Sequence, residues 1–197
     1  MTKSELYESL NYVNHSREKR SEMATLILSH PDLIRPLLQI CFDVDNPISS
    51  RACWVMEFTA KENISFIFPY LNDFTANLEA LHLDSSVRPI AKICEYLTKS
   101  YFLKDQNSTQ KALTNEHLQR ITTACFDWLI GDHKVAAQAY SMTSLLLLGR
   151  KFDWIHPELT LVLEQNYTDG SAAYKARARM TLEKIRKSKN PKNTPSI

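Results

Sequence analysis

Glycine is nearly missing from this chain, with three in 197 residues. Tight hairpins rely on residues that accept positive φ, so this scarcity excludes an antiparallel sheet protein and leaves an all-helical one. It also removes the glycine-rich phosphate cradles and the nucleophile elbow: no GxGxxG, GxxxxGK[ST] or GxSxG occurs. No run of about 18 uninterrupted apolar residues is present, so neither a transmembrane helix nor a membrane partner is expected. The opening segment MTKSELYESLNY lacks an apolar stretch and reads as a helix rather than a signal peptide. The four cysteines, Cys41, Cys53, Cys94 and Cys125, are far apart and make no CxxC pair. They are expected as reduced core thiols of a cytoplasmic protein. Six histidines form no HExxH and no pair at i, i+4, so no metal or other cofactor is expected.

Charge is low and unevenly placed. The net charge is +2, but residues 184–197 carry five cations and no acid, which leaves the remainder at −3. A mildly acidic body lacks the electrostatic footprint of a nucleic-acid binder, so nucleic acid is a possible but disfavoured partner. Residues 188–197 are polar and punctuated by proline, and they are expected to form a disordered basic tail.

What the chain does contain is repetition. His30-Pro31-Asp32-Leu33, Phe68-Pro69-Tyr70-Leu71 and His156-Pro157-Glu158-Leu159 each put a proline where an apolar helix would begin, a position at which its missing N–H costs nothing. A polar residue opens a second helix after each, and anchoring these on Arg51, Arg88, Gln138 and Lys175 gives spacings of 37, 50 and 37. The long middle interval contains the polar run Lys104–Ala112, which reads as an exposed loop. Within the segments apolar residues recur at helical period, as in Met23, Leu26, Ile27 and in Ile90, Ile93, Cys94, Leu97. First helices are expected over 31–42, 69–82, 115–130 and 157–167, and second helices over 47–61, 84–102, 133–149 and 170–187. A further pair, 3–13 and 16–29, would cap the N-terminal end. Pro89 predicts a late start or a kink in its helix. The expected organisation is one domain over 1–187, with a cap at 1–30 and repeats near 31–63, 64–103, 113–150 and 152–187.

Periods near 40 residues with two helices each resemble HEAT and armadillo repeats. An aspartate precedes each second helix, at Asp45, Asp84, Asp132 and Asp169, resembling the Asp and Arg positions of HEAT repeats, which tie neighbouring repeats or cap helices. The resemblance implies a right-handed α-α superhelix of about ten helices with one helix of each pair on its concave face. It further implies a noncatalytic scaffold that holds a protein partner on that face, through Arg51, Glu57, Arg88, Lys92, Glu95 and Lys175. The competing reading of the same residues is an ordinary solvated face with ion pairs between repeats.

Two enzymatic resemblances accompany this one. HEAT-like alkylpurine DNA glycosylases bring a carboxylate and tryptophans to a modified nucleotide, and this chain offers Trp54, Trp128 and Trp154. It also offers a polar stripe of Arg88, Lys92, Glu95 and Lys99 that Arg51, Glu57, Lys175, Arg179 and Arg186 would extend across repeats. Trp128 and Trp154 read instead as aromatics packed between repeats. Ser85-Ser86-Val87-Arg88-Pro89-Ile90-Ala91-Lys92 resembles the serine loop of the fumarase and aspartase superfamily, Ser-Ser-x-Met-Pro-x-Lys-x-Asn. The chain is also similar to short bacterial chains labelled adenylosuccinate lyase. Here Arg88 stands in the methionine position, Lys92 comes one residue late and no asparagine follows, so the expectation is a protein without catalytic residues.

Overall fold

A computed structural model of the chain describes residues 2–189. Its helices begin where side chains can satisfy the first orphan N–H groups. Thr2 and Glu5 form a capping box for α1 (Lys3–Ser9), which a 3-10 turn over Leu10–Tyr12 extends. The Ser16 hydroxyl accepts from the Lys19 N–H at the head of α2 (Arg17–Ser29). Pro31 opens a 3-10 turn leading into α3 (Ile34–Cys41), and α4 (Ser49–Glu62) follows. After a 3-10 stretch over Ile64–Tyr70 come α5 (Leu71–Ala76) and another 3-10 turn, Leu78–Ala80. The long α6 (Asp84–Tyr101) is succeeded by the short α7 (Ser108–Ala112). Then come α8 (Asn115–Ile130), α9 (Val135–Leu148), α10 (Ile155–Gln165) and α11 (Ala172–Lys189). The described residues are all-α: eleven α-helices and no strand.

Two layers result. Helices α2, α4, α6, α9 and α11 lie side by side in that order, each packed on the next. The other layer covers them, with α3 on α4, α8 on α9 and α10 against both α9 and α11, while α1 packs on α3 and α5 on α8. Between the layers a continuous apolar cluster runs from Leu6 to Ile185 and takes in all four cysteines, each fully buried and unpaired. This architecture is compatible with a helical-repeat fold. No helix among the described residues is long and apolar enough to cross a membrane.

Three expectations need correction. The run Lys104–Ala112 is not a plain loop, because Asn107 and Gln110 form a capping box that starts α7, and Thr109 is buried. The continuous helix expected over 69–82 is broken into α5 and its 3-10 flanks. Pro69 brings no N–H to a helical ladder, and Thr75 Oγ1 and Asn77 Nδ2 donate to the carbonyls of Leu71 and Asp73, competing for the backbone groups of this segment. Of the two outcomes expected of Pro89, a late start or a kink, the late start does not occur, since the helix already runs from Asp84. The expected tail over 188–197 falls mostly outside the described residues, and its first two positions belong to α11.

Candidate functional site

The first turn of α6 shows how this surface is held. A proline inside a helix leaves the carbonyl four residues earlier without its usual donor. For Pro89 that carbonyl belongs to Ser85, and it accepts the indole N–H of Trp54 from α4 at 2.7 Å. Asp84 does not cap its own helix. Its Oδ1 accepts from His133 Nδ1–H at 3.0 Å and from the Lys134 N–H at 3.2 Å, tying α6 to the head of α9. Burial raises the Asp84 pKa, but these bonds more than offset it and hold the carboxyl below its ordinary value. Of the four aspartates ahead of second helices, only Asp84 makes a side-chain hydrogen bond among the described residues. A substitution tests the first arrangement: Trp54→Phe should cost up to about 1 kcal/mol by removing this bond from the exposed Ser85 residue. The loss should shrink in a Pro89→Ala background, where a backbone N–H returns, as a double-mutant cycle of urea melts would show.

Ser85 and Ser86, the resemblance to a serine loop, therefore sit inside the first helical turn rather than in a loop. Both hydroxyls lie against Ser50 Oγ, at 2.7 and 2.9 Å. Ser85→Ala and Ser86→Ala should each lower stability by less than about 1 kcal/mol. Purified protein should release no fumarate from adenylosuccinate, and turnover lost on either substitution would refute a noncatalytic assignment.

From this corner a charged and aromatic stripe crosses four of the five helices in the layer. On α2, Arg20 lies over the Trp54 ring at 4.6 Å and the Phe58 ring at 5.8 Å. Glu57 of α4 accepts from Arg88 Nη2 of α6 at 2.9 Å. Glu95 is buried on α6 and takes Lys92 at 2.5 Å on one oxygen and Lys99 at 2.8 Å on the other. Lys92 also faces the rings of Tyr96 (5.0 Å) and, on α9, Tyr140 (4.3 Å). The two carboxylates respond oppositely. Burial raises the Glu57 pKa and Arg88, Arg20 and Lys92 do not fully offset it, so the group holds its proton more tightly than usual. Burial also acts on Glu95, but Lys92 and Lys99 prevail and keep its pKa low.

Four of the six residues singled out in the sequence thus meet in one place: Glu57, Arg88, Lys92 and Glu95. The other two do not join them. Arg51 Nη1 donates to the Asn11 carbonyl at 2.9 Å and is committed to the N-terminal turn. Lys175 lies half-buried near the start of α11, with no polar side-chain partner among the described residues. Arg179 and Arg186 turn towards Tyr167 (3.2 Å) and Glu164 (3.9 Å), at the α10 side of their helix. Trp128 is buried as expected, but Trp154 is 56 % exposed, stacked on Phe126 at 5.7 Å on the outside of the α8–α10 corner. Arg20, Tyr96 and Tyr140 were missed by sequence reasoning, since Arg20 lies in the presumed cap and the tyrosines carry no motif.

No family model, curated protein or solved structure matches the chain.

Proposed function

We propose that this chain is a noncatalytic scaffold of the HEAT type, a right-handed superhelix that binds a protein partner on the face of α2, α4, α6, α9 and α11. The observation that carries this reading is the continuous stripe from Arg20 through Trp54, Glu57, Arg88 and Lys92 to Tyr140. Its long side chains are already immobilised by one another, so a partner would find them ordered and pay less entropy on binding. Aromatic and arginine side chains are also the types that dominate protein-binding surfaces. Both carboxylates are engaged by cations, which supports binding over chemistry, since a general acid or base must be free to reach a substrate.

The test is capture of a partner by tagged full-length chain from cells that naturally contain it, compared with an Arg20→Glu/Tyr96→Ala variant of unchanged melting temperature. A partner retained by the wild type and lost by the variant is the expected result; retention of nothing, or of a protein indifferent to the variant, would reject the reading. The glycosylase alternative makes a different demand. Phosphate contacts release counterions, so binding to alkylated duplex DNA would fall steeply with salt. Little binding is expected at physiological ionic strength, and base release dependent on Glu57 or Glu95 would reverse the assignment.

A further inference from the structure

Where α6, α9 and α11 approach their C-terminal ends, the same layer opens into a groove of about 420 Å³. Its apolar part is contributed by Leu146 and Leu147, both half-buried near the end of α9. Around them stand Lys99, Arg150, Lys184 and Lys187, and no acidic side chain lines the groove. Two of these cations are already engaged from outside it, Lys99 by Glu95 at 2.8 Å and Lys187 by Glu183 at 2.6 Å. Arg150 and Lys184 have no carboxylate partner among the described residues. His156 walls the groove on the α10 side, its Nε2–H donated to the Leu146 carbonyl at 2.9 Å. That ring can lie against the end of α9 only because residue 149 is glycine, since a Cβ there would meet the imidazole at 2.0 Å. Cations near helix C-termini suit the helix dipole, but the dipole does not call for an open apolar strip between them.

We propose that this groove docks an acidic linear peptide segment that carries an apolar anchor, the leucines receiving the anchor and Arg150 and Lys184 the carboxylates. The inference rests on the scaffold reading and supplies the chemistry of the partner. A peptide is favoured over nucleic acid by three features. The strip is aliphatic, and the groove's one ring, the His156 imidazole, is packed against Gly149 with its N–H bound to the Leu146 carbonyl, a poor platform for bases. The groove's cations cluster around one short apolar strip, whereas a duplex needs them spread along its backbone. Beyond Lys99, Arg88 and Lys92 are each paired with a carboxylate, Glu57 and Glu95.

Fluorescence anisotropy on the full chain tests it with three labelled probes. These are a short peptide with Asp and Glu flanking a Leu-Leu pair, the same peptide with Asn and Gln in place of the acids, and a DNA oligonucleotide in single-stranded and duplex form. At physiological ionic strength the acidic peptide should bind, and the Arg150→Glu/Lys184→Glu variant, melting as the wild type does, should bind it about tenfold more weakly or worse. The neutral peptide should show the same weakening. Absence of acidic-peptide binding, equal binding of the neutral peptide, insensitivity to the charge reversal, or tighter binding of DNA would each overturn the proposal. A partner captured by the wild type and still held by the charge-reversed variant would overturn the groove alone, leaving the scaffold reading intact. Peptide binding lost in that variant would support the groove even where the Arg20→Glu/Tyr96→Ala pair changes nothing.

Discussion

Replacing Trp128 by alanine is expected to lower stability by about 3–5 kcal/mol, whereas Trp154→Ala should cost about 1 kcal/mol. The difference follows from surroundings, not residue type. Trp128 is 2 % exposed in the last turn of α8, among the largest side chains of the core. Its removal leaves a void that a close-packed interior fills only in part. Trp154 is 56 % exposed and loses little beyond its stacking on Phe126. For a chain of this length the first substitution should depress the melting temperature by roughly 10 °C and the second by a few degrees at most. Equal shifts would mean that the two tryptophans play the same part after all.

Glu95→Ala is the second large effect, about 2–3 kcal/mol. Breaking a buried ion pair strands the partner charge, a loss of about 3–5 kcal/mol in full burial. The lower figure applies here because the Lys99 side chain is 52 % exposed and returns to water, leaving Lys92 as the principal orphan. Lys92 keeps its two tyrosine rings, but it sits close to the Arg88 guanidinium's partner, Glu57, in a region already rich in cations. The sign of the pH dependence distinguishes the two carboxylates. Glu95 has a folded pKa below its unfolded value, so its contribution is present above the unfolded pKa, near 4.5, and is lost as pH falls through the folded one. Glu57 is shifted the other way: its ionised form weakens the fold, and lowering the pH through its raised folded pKa relieves that cost. Urea melts between pH 7 and pH 3 should therefore show a shallower acid loss for Glu95→Gln than for the wild type, and a steeper one for Glu57→Gln.

Helical period and capping chemistry made most of the elements legible. The expected span 115–130 coincides with α8, and every second helix was placed to within two residues at its start. The short α7 was legible too, since Asn107 and Gln110 stand at capping-box spacing, but the polar character of the run hid it. The broken helix around α5 was harder, because the deciding bonds run from Thr75 and Asn77 to their own backbone and compete with a pattern that looks regular. Among the site residues, the Lys92, Glu95 and Lys99 cluster is written on one helix, Lys92 three residues before Glu95 and Lys99 four after it. Arg20, Arg150 and Lys184 are brought to the face only by the packing of separate helices, which no local spacing records.

The bonds between neighbouring helices are not shared out evenly, and this sets where the stack is stiff. Helices α4 and α6 are keyed together by the Trp54 indole, the Ser50 hydroxyl and the Glu57–Arg88 pair, and α6 is latched to the α9 side by Asp84 and by Thr98 on Ser144. Sliding either joint by one helical turn would break several directional contacts at once. Between α9 and α11 no side-chain hydrogen bond or ion pair occurs among the described residues, and apolar packing, which is non-directional, holds the joint. Under a bending load α4, α6 and α9 would move as one block, and the deformation would fall on the flanking joints, above all the α9–α11 seam, which lacks even the Arg20–Trp54 contact of α2 on α4 and along which the basic groove lies.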